Sequence, residues 1–242
     1  MSNSEPSSLD DIRPQLGHNR ANSVMPHSSL ATIAEQPICG QIMTNYNFNQ
    51  TLFIKSAAEW HQLPDNPSFE VAFAGRSNAG KSSAINTITG LSKLAKTSKL
   101  PGRTQLINYF QLHPKLYLVD LPGYGYAKVP EAIRERIQRM LGRYILERLP
   151  LRALILVMDS RHPLKENDEV IVEWALQRHI AVHLLLTKAD KLSHRQGQDT
   201  KRAIEKRFAE QSDLISVQLF SSLKKQGIEE ARAFISRWIV EE

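Results

Sequence analysis

A glycine, a lysine and a serine stand together at positions 80–82, and a further glycine, Gly75, precedes them with four residues between. Glycines at this spacing let a backbone wrap a polyphosphate with its amide N–H groups pointing at the anion. Lys81 would neutralise the β- and γ-phosphates, and the Ser82 hydroxyl would ligate Mg²⁺. The pattern is that of a P-loop and predicts a nucleoside triphosphate ligand without specifying the base. The predicted phosphate-binding residues are Gly75, Arg76, Ser77, Asn78, Ala79, Gly80, Lys81 and Ser82.

A second phosphate and metal element is predicted at Asp120-Leu121-Pro122-Gly123, which follows an apolar strand. Asp120 there can hold Mg²⁺ through a water, and the Gly123 backbone N–H can donate to a γ-phosphate. Thr104, just ahead of a predicted hairpin, suits a switch threonine that completes the Mg²⁺ shell only with the γ-phosphate present. The predicted metal ligands are therefore Ser82, Thr104 and, through water, Asp120.

The base is predicted from Thr187-Lys188-Ala189-Asp190, which fits [NT]-K-x-D at the end of an apolar strand. The Asp190 carboxylate can accept from guanine N1–H and the exocyclic amine together, whereas adenine lacks that pair of donors and would leave the charge unpaired. The Lys188 stem can lie against the base plane. After the last strand, Ser221-Ser222-Leu223 would offer backbone N–H groups to guanine O6.

Length and composition are those of a globular protein with an extension. The chain has 242 residues, 41% hydrophobic and 23% charged, and its single cysteine, Cys39, excludes an internal disulfide. Neither a secretory leader nor an apolar run of membrane-spanning length is seen. We expect a cytoplasmic protein that does not bind a membrane. The net charge of +6 fits either ordinary solubility or contact with a polyanion such as RNA.

The chain divides into a tail and one domain. Residues 1–48 are rich in Ser, Asn, Pro and His and are expected to be disordered, because they cannot bury enough apolar surface to offset their ordering entropy. Residues 49–242 form the predicted domain. It opens with an edge strand near residues 50–55, after which Ser56 is expected to cap a short helix through Trp60 and His61.

From Phe69 onward, strands alternate with helices, which predicts a three-layer α/β sandwich with a mostly parallel sheet and one antiparallel hairpin strand. The ligand should lie at the carboxyl ends of the strands. Strands are predicted at 69–74, 105–112, 115–120, 153–158, 182–186 and 214–220, and helices after the P-loop and at 130–149, 167–178, 196–211 and 227–240.

Four segments in this order resemble the EngB/YihA/YsxC family of bacterial GTP-binding proteins, which are translation-factor-class, Ras-like P-loop GTPases. They are residues 75–83, 102–105, 120–127 and 187–190, and the resemblance covers roughly residues 50–240. It implies GTP hydrolysis to GDP and phosphate, a role in large ribosomal subunit assembly, and a link to cell division and septation. By the same resemblance, the nucleotide contacts extend to Gly102, Arg103, Gln105, Leu106, Leu121 and Pro122, and the catalytic residues are Lys81, Thr104, Gly123 and Asn78.

Two residues qualify the implied mechanism. Tyr124 stands where Ras-like proteins carry the glutamine that orients the attacking water, so intrinsic hydrolysis should be slow. In related GTPases that lack the glutamine, the residue matching Asn78 helps bind K⁺; here it either does so or only stabilises the loop.

Several basic residues could face ribosomal RNA or form a solvated charged surface. They are Lys93, Lys96, Lys99, Arg103, Arg134, Arg136, Arg139 and Arg143. We expect a monomer that acts as a GTP-dependent switch; the alternative is a nucleotide-gated scaffold in cell division with negligible turnover.

Overall fold

A computed structural model describes residues 46–65, 68–96, 106–125 and 130–239. The expected disorder of residues 1–45 and the thiol of Cys39 lie outside the described residues. So do Gly102, Arg103, Thr104 and Gln105 of the predicted switch segment. Phe48, placed by the sequence at the end of the tail, is buried in the core, so the domain includes the described residues that precede position 49.

The described residues form a seven-stranded sheet whose spatial order is β1-β3-β4-β2-β5-β6-β7. Only β3 runs antiparallel to its neighbours, β1 and β4, and every other pair is parallel. The predicted mostly parallel sheet with one antiparallel hairpin strand is therefore confirmed. The strands are β1 (Leu52–Ala57), β2 (Phe69–Gly75), β3 (Ile107–His113), β4 (Leu116–Asp120), β5 (Leu151–Asp159), β6 (Ala181–Thr187) and β7 (Ile215–Leu219).

Five α-helices among the described residues cover the two faces of the sheet. Strands β2, β5 and β6 are mostly apolar and are buried along nearly their whole length, as expected for parallel strands between two helical layers. The core on one face joins side chains of these strands to α1 and α5, while α2 packs against α3. The helices are α1 (Lys81–Thr89), α2 (Glu131–Glu147), α3 (Glu166–Gln177), α4 (His194–Arg207) and α5 (Ile228–Ser236). None of these described helices is long and apolar enough to cross a membrane.

The edge strand β1 is confirmed, but the expected role of Ser56 is wrong. Ser56 lies within β1, and its hydroxyl donates to the Asn108 side chain at 2.7 Å instead of capping a helix. The helical turn that follows is a short 3₁₀ turn, Trp60–Gln62. The Gln62 side chain accepts from the backbone N–H groups of Ala58 and Glu59 at 2.8 and 3.2 Å. The last residue of the turn therefore caps the N-terminus of the turn.

The buried side chain of His183 links strands β6 and β7 at one end of the strand order. The Gln218 side-chain amide donates to Gly227 O at 2.7 Å. The Gln218 side-chain oxygen therefore faces His183 Nε2 at 2.6 Å and accepts a hydrogen bond from its N–H. His183 Nδ1 then accepts from the Ser216 hydroxyl at 2.7 Å. The neutral Nε2–H tautomer therefore connects β6, β7 and the start of α5, and Gln218 steadies the connection between β7 and α5.

The same histidine makes stability depend on pH. Burial lowers the pKa of His183 to about 4, and the positive charges of Arg237 and Lys201 act in the same direction. An unfolded histidine titrates near 6.5. Between these values the unfolded chain binds a proton that the folded chain does not, so this contribution is present above pH 6.5 and is lost as the pH falls.

We predict that the free energy of unfolding falls by about 2 kcal/mol more between pH 7 and pH 5 in the wild-type protein than in His183→Gln. Urea unfolding at the two pH values measures this. The exposed His194 provides the control, since His194→Gln should keep the wild-type pH dependence. Equal pH dependence in His183→Gln and the wild type would contradict the assignment.

Candidate nucleotide-binding site

The parallel strands bring their carboxyl ends to one edge of the sheet. In the ladder, Phe73 of β2 lies beside Asp120 of β4. Farther along the sheet, Asp159 of β5 pairs with Thr187 of β6. The P-loop leaves β2 between these partners, so the predicted phosphate and guanine elements lie side by side.

The P-loop needs its two framing glycines for different reasons. A Cβ at Gly75 would lie 2.6 Å from the carbonyl oxygen of Val157, so the neighbouring strand leaves no room for a side chain. Gly80 has a left-handed backbone, with φ +97°, at the N-cap of α1, and this conformation favours glycine. Helix α1 then begins at Lys81, and its free N–H groups provide a site suited to anions.

The two charged groups of the phosphate site face each other. Lys81 Nζ forms an ion pair with Asp120 Oδ1, and both side chains are largely buried, 11% and 5% exposed. Asn108 Nδ2 donates to the other Asp120 oxygen at 3.4 Å. A polyphosphate with its cation would offer each member of the pair a partner of opposite charge.

A Mg²⁺ ion fits this donor set. Among the described residues, no three His, Cys, Asp or Glu side chains come together as a metal site. Mg²⁺ in nucleotide sites needs only one or two protein oxygens, with phosphates and waters supplying the remaining ligands. The Asp120 carboxylate and the Ser82 hydroxyl on the first turn of α1 match this requirement.

The segment after Asp120 is packed against the P-loop. The Leu121 N–H donates to Phe73 O at 3.0 Å, and the Ser77 N–H donates to Tyr124 O at 2.8 Å. A Cβ at Gly123 would lie 3.2 Å from Ser77 Oγ, so Gly123 is closely apposed to the loop, where the sequence places a γ-phosphate contact.

Tyr124 does not have the placement of a water-orienting side chain. The residue is 3% exposed, and its hydroxyl donates to Asp168 Oδ1 at 2.6 Å. Burial raises the pKa of the Tyr124 phenol and of the Asp168 carboxyl. The phenol is therefore held neutral against helix α3.

The predicted guanine-binding segment contacts the P-loop through Thr187 and Lys188. The Thr187 hydroxyl lies 2.5 Å from Ala79 O and 2.9 Å from Met158 O. Lys188 Nζ donates to Asn78 O at 2.7 Å and to Asp159 Oδ2 at 2.9 Å. These contacts fix the phosphate loop relative to the base-reading segment.

Asp159 is a site residue that the sequence reasoning missed. The Arg161 guanidinium contacts both of its carboxylate oxygens, at 2.9 and 2.7 Å, and with Lys188 it lowers the pKa of Asp159 well below its usual range. Asp159 is thus a stable anion that orients Lys188. An acidic residue directly after a buried apolar strand was the available signal, since Asp120 has the same placement on β4.

Asp190 has a fixed orientation. Its Oδ1 accepts from the Ser221 hydroxyl at 2.6 Å, and Ser221 also accepts from the Lys224 N–H at 3.1 Å. The Ala189 N–H donates to Phe220 O at 3.1 Å, which joins the two base-side segments. Leu223, by contrast, is 73% exposed.

The structure therefore brings together the P-loop, the segment from Asp120 to Gly123, the segment from Thr187 to Asp190, and Ser221. Thr104 and its neighbours from Gly102 to Gln105 remain predictions, since they lie outside those residues; Leu106 leads directly into β3. Asp168, like Asp159, was not anticipated, because its sequence position at the start of a helix fits a simple capping role.

Comparison with known proteins supports the same assignment. A family model described as a 50S ribosome-binding GTPase matches residues 70–188. A probable GTP-binding protein EngB from Coxiella burnetii (strain CbuG_Q212) is 48% identical over 191 residues, covering 79% of this chain and 93% of the relative. A probable GTP-binding protein EngB from Escherichia coli O139:H28 (strain E24377A / ETEC) is 49% identical over 199 residues, covering 82% and 95%.

This chain belongs to the EngB family of GTP-binding proteins. A crystal structure of a probable GTP-binding protein engB superposes with a TM-score of 0.57 at 24% identity, covering 69% of this chain and 98% of that one. A crystal structure of Era with MgGDPNP and part of 16S ribosomal RNA gives a TM-score of 0.56 at 18% identity, covering 73% and 58%. Both structures share the fold. EngB membership makes the chain a member of a GTPase family and confirms the predicted GTP and GDP ligands.

We predict that Asp190→Asn weakens GTP binding roughly 10- to 100-fold, because the amide cannot accept from both guanine donors. The variant should instead favour xanthosine triphosphate, whose base offers an acceptor where guanine has an amine. Fluorescence titration with both nucleotides measures the change. The exposed Asp199 on α4 gives the control Asp199→Asn, which should bind GTP normally. An Asp190→Asn variant with the wild-type preference would refute the role of this carboxylate.

Proposed function

We propose that this EngB-family protein is a slow GTPase that acts as a molecular switch in assembly of the large ribosomal subunit. The observation that carries the switch is the placement of Gly123: the predicted γ-phosphate contact packs directly against the P-loop, on the same segment as Asp120. A segment that contacts the γ-phosphate is ordered by GTP and released after hydrolysis.

The residues of the site would act on GTP by positioning and by charge. Lys81 and the N–H groups at the start of α1 would stabilise the negative charge that shifts between γ-phosphate and leaving group. Ser82, Thr104 and, through water, Asp120 would hold Mg²⁺, which supplies further charge neutralisation when bound. Asp190 and the backbone of Ser221, Ser222 and Leu223 would select guanine.

Slow turnover follows from the orientation of Tyr124. Its hydroxyl donates to Asp168, so it is not available to orient an attacking water, and no glutamine occupies this position. A partner or a cation would then have to accelerate the reaction. Asn78, exposed and left-handed with φ +64°, is the residue proposed to help bind K⁺.

The ribosomal partner is supported by the family description, a 50S ribosome-binding GTPase. Lys93 and Lys96 are exposed and carry positive charge a few residues ahead of the predicted switch segment in the sequence. On α2, three of the four arginines pair with glutamates of the same helix: Arg134 with Glu131, Arg139 with Glu135 and Arg143 with Glu147, at 3.3, 3.5 and 3.0 Å. Most of the positive charge of this helix is therefore offset. We therefore place the proposed RNA contact nearer the lysines. We further propose a cytoplasmic monomer whose role in cell division and septation accompanies its role in ribosome assembly.

The alternative is a nucleotide-gated scaffold in cell division with negligible turnover. The same Tyr124 orientation favours it, because a protein without a water-orienting group can bind GTP without hydrolysing it. Both functions use the same nucleotide site and differ in partner and turnover.

We predict that the protein cosediments with large ribosomal subunits in the presence of a non-hydrolysable GTP analogue and separates from them in GDP. Asp190→Asn supplies the control: it should lose this binding with the GTP analogue and regain it with the xanthosine triphosphate analogue. Sucrose-gradient sedimentation at several salt concentrations measures binding. Subunit binding that is indifferent to nucleotide, or absent, would contradict the proposed switch and favour the scaffold.

We predict that replacing Na⁺ by K⁺ raises kcat for GTP roughly 10- to 100-fold, and that Asn78→Ala removes this difference. Phosphate release with and without ribosomal subunits measures the rates. If Asn78 only stabilises the loop, K⁺ has no effect and Asn78→Ala weakens GTP and GDP equally. Hydrolysis that is undetectable under all these conditions would support the scaffold.

A further inference from the structure

A buried hydrogen bond connects the segment after Asp120 to the start of helix α3. The Tyr124 hydroxyl donates to Asp168 Oδ1 at 2.6 Å, and the two residues are 3% and 1% exposed. Forty-four positions separate them in the chain, so the bond joins two distant segments. Asp168 does not line the phosphate or base elements described above, and the proposed mechanism gives it no part.

The two oxygens of Asp168 have different partners. Oδ1 accepts from Tyr124, while Oδ2 accepts from the Lys165 N–H at 2.9 Å and so caps the first turn of α3. The neighbouring Asn167 accepts from Gln138 of α2 at 3.4 Å, which links this end of α3 to the adjacent helix. Asp168 therefore joins Tyr124 to a rigid part of the fold.

Tyr124 is also held by its backbone. Its carbonyl accepts from the Ser77 N–H at 2.8 Å, and the residue forms an isolated parallel bridge with Arg76. On the other side of Gly123, the Leu121 N–H donates to Phe73 O. Gly123 is thus fixed from both directions, by the end of β2 and by Tyr124.

The glycines around Tyr124 agree with this arrangement. Gly123 packs against Ser77, as described above. Gly125 has φ +73°, and a Cβ there would lie 3.2 Å from Arg76 Nε. The Arg76 side chain therefore passes over Gly125, and its positive charge acts on both Tyr124 and Asp168. A small residue on each side lets the tyrosine ring enter the space between the P-loop and α3.

We propose that Asp168 is a positioning residue for GTP: by holding the Tyr124 hydroxyl, it places the Gly123 N–H where the γ-phosphate binds. The inference rests on the Gly123 contact in the proposed function. Tyr124 stands at the sequence position of the usual water-orienting glutamine, and there it anchors the adjacent Gly123 to Asp168. Part of the segment that GTP orders is then already held close to its bound position, so less ordering opposes GTP binding. GDP has no γ-phosphate and does not use this donor.

The test compares affinities for GTP and GDP in variants of the full chain. Tyr124→Phe removes only the hydroxyl, and Asp168→Ala removes its acceptor, whereas Asp168→Asn retains one oxygen that can accept from Tyr124. Tyr117→Phe is the matched control, since Tyr117 is a buried tyrosine of β4 whose hydroxyl accepts from Gln111 at 3.5 Å, away from the site. Fluorescent GDP and a non-hydrolysable GTP analogue report the affinities, thermal unfolding reports folding, and phosphate release reports kcat.

We expect Tyr124→Phe and Asp168→Ala to lower the ratio of GTP-analogue affinity to GDP affinity about tenfold, with a similar fall in kcat. Asp168→Asn should retain more of the ratio than Asp168→Ala. The double variant Tyr124→Phe/Asp168→Ala should lose no more than the larger single loss, because the two residues share one interaction. The control should keep the wild-type ratio.

The proposal is overturned if the ratio stays at the wild-type value in folded Tyr124→Phe, or if both nucleotides weaken by the same factor, which is the result of a purely structural bond. If Asp168→Ala does not fold, Tyr124→Phe and Asp168→Asn still give the ratio. These titrations need no ribosome, so failure of GTP-dependent subunit binding would count against the proposed function and leave this inference standing.

Discussion

The position of β2, hydrogen-bonded on both sides by parallel strands, is the constraint on which the site depends. Its register with β4 sets Asp120 beside Phe73, and its register with β5 sets the P-loop beside Val157. Because the three strands end at the same edge, the lysine that begins α1 meets the carboxylate that ends β4. The hydroxyl of Thr187 extends the same edge to β6.

Much of the fold could be read from the sequence because parallel strands buried on both faces are continuous apolar runs. β5 and β6 were placed to within two residues at each end, and the hairpin of β3 and β4 was evident from its alternation and turn. The edge of the sheet was harder. Serine is a residue type that often caps helices, which is why Ser56 was expected to do so. Its hydroxyl instead donates to Asn108, 52 positions away, and the residues next to Ser56 in the sequence give no sign of that partner.

The site shows the same difference between features that depend on neighbouring residues and features that depend on contacts between distant positions. Motif residues such as Lys81 and Asp190 are recognisable because their spacing along the chain is set by one loop each. Asp159 and Asp168 act through Lys188 and Tyr124, which lie 29 and 44 positions away. Their roles exist only once the sheet brings those segments together, so each resembles an ordinary strand-end or helix-cap acid when the sequence is considered alone.

Gly75 illustrates how a signature residue can serve the fold instead of the ligand. Because the carbonyl of Val157 occupies the space of its missing side chain, a substitution there would disturb the pairing of β2 with β5. Such a substitution would lower the fraction of chains that fold, and with it every property of the protein. A substitution at Lys81, which lies at the start of α1, would leave the strand pairing intact and would act on the phosphate site alone.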